Sequence, residues 1–109
     1  IEDAWDNRDL LKEQQTEEAV RTVIEELDRG LRRVAEPQPG GTWQVNDWVK
    51  KAVILYFPLQ QMKTVEVGPY EYHDKMELKR GYQGLGVRVV PPAVARYGSF
   101  IARGVIMMP

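Results

Sequence analysis

An apolar stripe in the first third of the chain constrains the fold more than any other feature. Five apolar residues recur there at spacings that place them on one face of a helix: Ala19, Val20, Val23, Ile24 and Leu27. Thr16 can cap this helix, and Glu17 and Glu18 suit the positive end of its dipole. Gly30 is a suitable stop. The sequence therefore predicts an amphipathic helix between residues 16 and 30.

A short helix and a hairpin flank this stripe. Residues 2–12 place three apolar side chains among charges, which predicts a short exposed helix. Residues 31–36 alternate weakly and predict a strand. The run Pro-Gln-Pro-Gly-Gly at 37–41 predicts a turn, and residues 42–45 then form the return strand of a β-hairpin.

A further helix is predicted after the hairpin. Asn46 can cap it, and Pro58 should end it. Three residues share one face at four-residue spacing: Trp48, Ala52 and Tyr56. The run Val-Ile-Leu at 53–55 leaves a strand as the competing prediction for the second half. Helix is preferred because the cap and the spacing agree.

The remaining residues predict short extended segments. Residues 62–67 and 87–90 read as strands, and two prolines bound the second because proline cannot continue a sheet interior. Glycines break the intervening chain into loops and turns. Residues 100–108 look extended. The predicted fold class is α+β, a small mainly helical domain with a β-hairpin and short strands.

Composition excludes several classes of function. The 109 residues carry a net charge of −1, so no overall field attracts nucleic acid or an anionic membrane. No apolar run approaches the length of a membrane span. Cysteine is absent, which removes disulfides, thiolate metal sites and cysteine nucleophiles. With His73 as the single histidine, a multi-histidine metal site is impossible, and neither a metal site nor a catalytic residue is predicted.

Arg88 is the residue most open to a functional interpretation. It lies in the apolar run Val-Arg-Val-Val, where a guanidinium needs either an anionic partner or an exposed face. One hypothesis is an outward-facing residue on an edge strand. The other is a bidentate clamp for a ligand carboxylate, and the residues alone favour the first.

Other candidates have weaker support. His73 could act as a general base, although a structural or surface histidine is the preferred interpretation. The glycines of residues 81–86 resemble a phosphate loop, but that motif needs a preceding strand and a following helix, so a flexible connector is preferred. Lys50 and Lys51 are expected on a solvated helix face rather than at an anion. The three tryptophans are expected to anchor the core.

Both ends of the chain suggest a piece of a longer protein. The sequence begins at Ile1 without an initiator methionine, within a segment predicted to be helical. It ends on four apolar residues and Pro109, whereas natural C-termini are usually polar and frayed. We expect this ending to be a strand whose partners lie outside the chain.

Four ordered stretches together resemble one enzyme family. Residues 33–36 (Arg-Val-Ala-Glu) precede a turn and a tryptophan, and residues 47–53 read Asp-Trp-Val-Lys-Lys-Ala-Val. Residues 72–75 read Tyr-His-Asp-Lys, and residues 88–93 read Arg-Val-Val-Pro-Pro-Ala. In this order and spacing, from about residue 1 to the end, they resemble the N-terminal region of tetrahydrodipicolinate N-succinyltransferases. The set is specific, although no single stretch is.

The resemblance implies a cytoplasmic, homotrimeric acyltransferase of lysine and diaminopimelate biosynthesis. Such enzymes move succinyl from succinyl-CoA, their co-substrate, to the amine of L-2-amino-6-oxopimelate, the open form of tetrahydrodipicolinate. A left-handed parallel β-helix of hexapeptide repeats follows the N-terminal domain, and it carries the catalytic residue and the CoA-binding surface. The resemblance thus implies an N-terminal domain at 1–98 and, at 99–109, the first strand of a β-helix missing from this chain.

One site residue carries over by resemblance. Arg88 matches a family position that binds the dicarboxylate substrate, whereas His73, Lys50 and Arg96 receive no role. The chain alone is expected to be inactive and to bind no cofactor, because the β-helix is absent. The competing hypothesis is a non-catalytic docking module that shares ancestry with this domain.

Overall fold

The computed structural model describes residues 1–109 and has an α+β fold. Its helices, in chain order, are α1 (Glu2–Asp6), a 3₁₀ helix (Arg8–Lys12), α2 (Gln14–Asp28), α3 (Asp47–Leu59) and α4 (Tyr82–Leu85). Its strands are β1 (Ala35–Pro37), β2 (Trp43–Val45), β3 (Lys63–Val67), β4 (Tyr70–Asp74), β5 (Arg88–Val89) and β6 (Ile106–Met107). The strands form three separate two-stranded sheets.

The first predicted helix is divided in two. Asn7 adopts an extended backbone between α1 and the 3₁₀ helix, and its side chain accepts a hydrogen bond from the amide of Asp9. The segment is also less exposed than predicted, because Ala4 and Leu11 enter the core. An asparagine that caps the second helix therefore ends the first.

Helix α2 confirms the apolar stripe and its glycine stop. Val20, Val23, Ile24 and Leu27 are buried, while Ala19 is exposed. The start was misplaced: the helix begins at Gln14, two residues before the predicted cap Thr16, with no side-chain cap. The C-terminus is a Schellman motif, in which the amide of residue 30 donates to the carbonyl of residue 27 and that of 31 to that of 26.

Gly30 is required by this ending for two reasons. Its φ of 75° is in the left-handed region that favours glycine. A Cβ atom there would also lie 2.7 Å from the ring of Phe100, so the end of α2 and the C-terminal segment are in close contact.

The first hairpin is confirmed with a shorter first strand than predicted. Strands β1 and β2 are antiparallel, with Ala35 opposite Val45 and Pro37 opposite Trp43. Residues 31–34 lie outside the strand. Trp43 is 65% exposed, so its prediction as a core anchor was wrong, whereas Trp5 and Trp48 pack against the core.

Helix α3 excludes the competing strand at 53–55. Val49, Ala52, Leu55 and Tyr56 are buried at helical spacing against α2. The helix ends one residue beyond Pro58. Asn46 lies at its start as predicted, but its side chain donates to the carbonyl of Arg33, 2.8 Å away, instead of capping the helix.

A second hairpin, β3–β4, was predicted only in its first strand. The strands are antiparallel and joined by Gly68 and Pro69, with Val67 opposite Tyr70. The second strand, Tyr-Glu-Tyr-His-Asp, alternates but stands among charged residues and was assigned to loops and turns. Beyond it, residues 75–81 lead through an isolated bridge between Leu78 and Arg96 into α4.

The core lies between the helices. Its ten buried residues come from α1, the 3₁₀ helix, α2 and α3, while the hairpins lie outside it. No helix combines the length and the apolar character that crossing a membrane requires.

Candidate functional site

Arg88 begins β5, a strand of two residues paired with β6 near the C-terminus. The pairing is parallel and places Arg88 opposite Ile106 and Val89 opposite Met107. The Arg88 amide donates to the carbonyl of Val105 at 3.0 Å, and the Val90 amide donates to that of Met107 at 2.9 Å. The predicted strand at 87–90 is thus present, and of residues 100–108 only two form a strand.

The side chain of Arg88 is exposed and unengaged. Its guanidinium takes part in none of the ion pairs or side-chain hydrogen bonds of the chain. The preceding residue, Val87, is buried, so the strand is fixed to the body of the protein while Arg88 points outward. An arginine held this way keeps its forked donors free for an external acceptor.

The turn before β5 is ordered by Arg103. Gly81 and Gly86, both left-handed, bound the short helix α4. The guanidinium of Arg103 donates to the carbonyl of Gly84 at 3.3 Å, and a Cβ atom at residue 86 would lie 2.6 Å from its Nη1. A four-residue helix precedes a strand here, so residues 81–86 lack the strand-then-helix context of a phosphate loop.

A buried ion pair anchors the segment that leads to β6. The ammonium group of Lys79 lies 2.7 Å from the carboxylate of Asp28, the last residue of α2. The same carboxylate oxygen accepts the amide of Gly98 at 2.9 Å. Lys79 is the one buried charged residue, at 7% exposure. Asp28 thereby ties residues 79 and 98 to the helical core and orients the chain that runs on to β6.

No sequence signal indicated this network. Lys79 stands in the run Glu-Leu-Lys-Arg, which is typical of an exposed segment, and its partner lies 51 residues earlier. Asp28 likewise ends a helix whose other carboxylates face solvent or exposed partners. Only the packing of residues 75–80 against the end of α2 desolvates both groups.

A cleft of about 770 Å³ lies beside this ion pair. The second hairpin, residues 75–80 and residues 94–97 form its walls. Apolar side chains from all three walls line it: Val65, Tyr72, Met76, Leu78, Val94 and Tyr97. Cations also surround it, and of these Lys79 is paired with Asp28 and Arg96 with Asp74, 3.4 Å away. Arg88 is not among its lining residues.

His73 has a structural environment. It is exposed on β4, and its Nδ1 lies 2.9 Å from the hydroxyl oxygen of Thr64, directly opposite on β3. No carboxylate orients the ring, so the arrangement of a general acid–base pair is not formed. More broadly, no group of three or more histidine, aspartate or glutamate side chains could hold a metal ion.

Lys51 is engaged within the chain rather than solvated, contrary to its prediction, while Lys50 is exposed. The Lys51 ammonium lies 2.8 Å from the carboxylate of Glu2 and 5.7 Å from the centre of the Trp5 ring. The hydrogen bond to Glu2 raises the pKa of Lys51, with smaller contributions from the charges of Asp6 and Asp47. The anionic partner of Lys51 is therefore a carboxylate on the neighbouring helix α1 rather than a ligand.

Comparison with known proteins gives a consistent picture. Residues 1–59 match the family model "Tetrahydrodipicolinate N-succinyltransferase N-terminal". Proteins named 2,3,4,5-tetrahydropyridine-2,6-dicarboxylate N-succinyltransferase from Leptothrix cholodnii and Paracidovorax citrulli are similar to this chain, at 50% and 44% identity over 119 aligned positions. A protein of the same name from Bordetella petrii is 45% identical.

Each of these alignments covers all of this chain and 43% of the relative. The family model covers more than half of the 109 residues. The chain therefore belongs to the family of tetrahydrodipicolinate N-succinyltransferases, of which it represents the N-terminal part.

Proposed function

We propose that the protein to which this domain belongs transfers a succinyl group from succinyl-CoA to the amine of tetrahydrodipicolinate in its open form, L-2-amino-6-oxopimelate. The transfer serves lysine and diaminopimelate biosynthesis in the cytoplasm. The supporting observation is that relatives with 44–50% identity over the whole of this chain are named as N-succinyltransferases of this substrate. Because the chain spans 43% of their length, the activity of the whole protein is an inference.

The reaction is an acyl transfer with simple requirements. The neutral amine attacks the thioester carbonyl, a C–N bond forms and the C–S bond breaks, and the amine proton is lost as CoA thiol is released. Catalysis needs a base near the amine, a donor for the oxyanion and close positioning of both substrates. The described residues hold no such constellation, so we place these groups outside residues 1–109.

Within this scheme Arg88 binds a carboxylate of the dicarboxylate substrate. Its guanidinium is exposed and unpaired, while its backbone is fixed by hydrogen bonds to β6 and by buried Val87. Because the backbone is already ordered, only the side chain of Arg88 has to be ordered when a bidentate pair forms. No catalytic residue, metal or bound cofactor is assigned to this domain.

The parallel pairing of β5 with β6 supports a β-helix that begins here. The residues paired across the two strands are 18 positions apart, which equals three hexapeptides. The pairs Ile101–Ala102 and Met107–Met108 repeat at six. We place the N-terminal domain at 1–98 and the first β-helix strand within 99–109. Further repeats would stack on the free edge of β6, since one coil cannot bury its own face, and the coils of three subunits would form a homotrimer.

Arginine substitution in the full-length enzyme tests this assignment. Arg88→Ala should raise the KM for the dicarboxylate about 10- to 100-fold, the value of a charge-assisted bidentate pair, and change that for succinyl-CoA less than about 2-fold. Arg33→Ala, which removes an exposed arginine that lies over Phe100, is the matched control and should change neither. Equal effects of Arg88→Ala on both KM values would indicate a structural role instead.

The isolated chain supplies a second test. Incubated with succinyl-CoA and 2-aminopimelate, it should release no free thiol above background. Turnover by the chain alone would contradict the placement of the catalytic groups outside it and would indicate that they lie within residues 1–109. A docking module without catalytic function in the full-length protein is the alternative, and it predicts no thiol release from the full-length protein either.

A further inference from the structure

The charges of this chain are strongly segregated along the sequence. Residues 1–28 carry ten acidic and three basic side chains, a net charge of −7. Residues 29–109 carry six acidic and twelve basic side chains, a net charge of +6. The nearly neutral total therefore conceals two regions of opposite sign.

The negative region forms an exposed surface on packed helices. Its carboxylates come from α1, the 3₁₀ helix and the start of α2, which pack on one another. We define the acidic surface by its six exposed members: Glu2, Asp3, Asp6, Asp9, Glu13 and Glu18. Three cations lie near it: Lys51 pairs with Glu2 at 2.8 Å, Lys12 approaches Asp9 only to 3.9 Å, and Arg8 lies over the Trp5 ring. The other four members, Asp3, Asp6, Glu13 and Glu18, form no ion pair.

The positive region includes the rim of the 770 Å³ cleft. Three lining cations form no ion pair within the chain: Lys63, Lys75 and Arg80. Glu77 is the one lining carboxylate that lacks an ion-pair partner, because Asp28 and Asp74 are already paired. Three unpaired cations against one unpaired carboxylate leave the rim with a net positive charge. Below the rim the walls are apolar, and Val65 and Val94 are 40% and 55% exposed.

The two surfaces cannot neutralise each other within one molecule. Asp28 at the C-terminal end of α2 lines the cleft, whereas the acidic surface surrounds the N-terminal end of that helix. A helix of 15 residues spans about 22 Å at 1.5 Å per residue, which exceeds the Debye length of about 8 Å at physiological salt.

We propose that the acidic surface of one copy of this chain docks against the cationic cleft of a second copy. A second copy is inferred as the partner because of charge complementarity: the acidic surface of this chain has the negative charge that matches the positive rim of the cleft. The contact would also cover the exposed side chains of Val65 and Val94. Because the two contacting surfaces differ, the contact is head-to-tail, and it closes into a ring or extends. The proposal uses only surfaces of this chain and is independent of the proposed activity.

Sedimentation of the 109-residue chain at varied salt gives the first test. At about 20 mM salt, the weight-average mass should rise above the 12.6 kDa of the monomer as concentration increases, and at about 0.5 M salt it should return toward 12.6 kDa. A monomer at all concentrations up to about 1 mM at low salt would overturn the proposal. So would association that is insensitive to salt, which would indicate an apolar contact alone.

Single charge reversals identify the surface. Arg80→Glu should weaken association at least about 10-fold, because it places a carboxylate opposite the acidic surface. Arg33→Glu makes the same change in net charge at an exposed arginine outside both surfaces, and it should weaken association less than about 2-fold. Equal effects would show that net charge alone governs association and would refute the docking surface.

A complementation experiment removes the remaining ambiguity. One variant reverses the charge of the cleft (Lys63→Glu, Lys75→Glu and Arg80→Glu). The other reverses the charge of the acidic surface by changing five of its six members (Asp3→Lys, Asp6→Lys, Asp9→Lys, Glu13→Lys and Glu18→Lys) and leaves Glu2, the partner of Lys51, in place. Each variant alone should be monomeric, since its two surfaces then carry like charge, whereas their mixture should associate. Circular dichroism confirms that both are folded, and a mixture of two folded variants that stays monomeric would refute the proposal.

Discussion

At the scale of single residues, Tyr97 shows how one hydroxyl connects the irregular C-terminal segment to α2. Its oxygen lies 3.0 Å from the Glu25 carboxylate, and its ring approaches that of Tyr56 with 6.4 Å between centroids. Burial, followed by the hydrogen bond and charge of Glu25, raises the pKa of Tyr97 well above its ordinary 10.0. The protonated phenol is therefore favoured in the folded state.

This shift predicts a loss of stability at alkaline pH. Below pH 10 both states hold the proton and the stabilisation is complete, whereas above pH 10 the unfolded chain releases it first, so the free energy of unfolding falls. Tyr97→Phe should cost about 1 kcal/mol at pH 7 and flatten the alkaline decline. Urea unfolding at pH 7 and 10.5, followed by tryptophan fluorescence, measures both.

The matched control is Tyr70→Phe, which removes an exposed hydroxyl without a hydrogen bond within the chain. It should leave the free energy of unfolding unchanged within about 0.5 kcal/mol and leave the alkaline slope intact. A slope that Tyr97→Phe does not alter would assign the alkaline instability to other groups, of which Lys51 is one, because its raised pKa acts in the same direction.

At the scale of elements, the hairpins and the helices differ in how much buried apolar packing stabilises them. Helices α2 and α3 share the buried core. Hairpin β3–β4 has one polar face and one apolar face, and the apolar face remains uncovered: Val65, Val67, Tyr70 and Tyr72 are all at least 38% exposed. A two-stranded hairpin is marginal unless another layer packs on it.

Hydrogen exchange should separate these elements. Backbone amides of α2 and α3 should exchange slowest, through global unfolding. Amides in the β3–β4 ladder should open locally and exchange at least about 100-fold faster at pH 7, because few buried contacts hold them. Mass spectrometry of peptic peptides measures both in one experiment, and equal protection of the hairpin and the helices would show that the hairpin belongs to the cooperative unit.

The sequence pattern predicted best those elements that bury the most apolar side chains. Helix α2 was predicted because its burial has a 3.6-residue period, and the strand alternative at 53–55 failed because Leu55 has to face α2. Strand β4 was missed because it buries nothing and left no apolar pattern beyond two exposed tyrosines. Trp43 was wrongly predicted to be buried because that prediction used only its residue type and took no account of the sequence pattern around it.

At the scale of the whole molecule, the chain is flat and open. Its extents are 43 × 41 × 20 Å, and its radius of gyration is 16.1 Å, larger than the roughly 13 Å of a compact domain of about this size. Only 12 of 109 residues are buried, so long-range order depends on a few contacts between the helical core and the C-terminal half. The ion pair of Lys79 with Asp28 is the most buried of these.

Removing one partner of this pair should be costly. Lys79→Met leaves the Asp28 carboxylate partly buried with the Gly98 amide as its remaining donor, and should destabilise the fold by about 3 kcal/mol. The double variant Lys79→Met with Asp28→Asn should recover part of this loss, because no charge then remains buried. Urea denaturation measures both, and a double variant as unstable as the sum of the single variants would exclude coupling between the two residues.

The sequence by itself determined the α+β class, the two long helices with their glycine stop, the first hairpin and the family, because each depends on local periodicity, turn chemistry or ordered motifs. The tertiary structure decided the second hairpin's return strand, the parallel pairing of β5 with β6, the burial of Lys79, the partners of Lys51 and His73, and the cleft. These features join residues far apart in the chain, and only packing determines which distant side chains share a site and lose water. Arg88 depends on both: its motif made it the candidate substrate-binding residue, and the β5–β6 pairing determines where it lies in the fold.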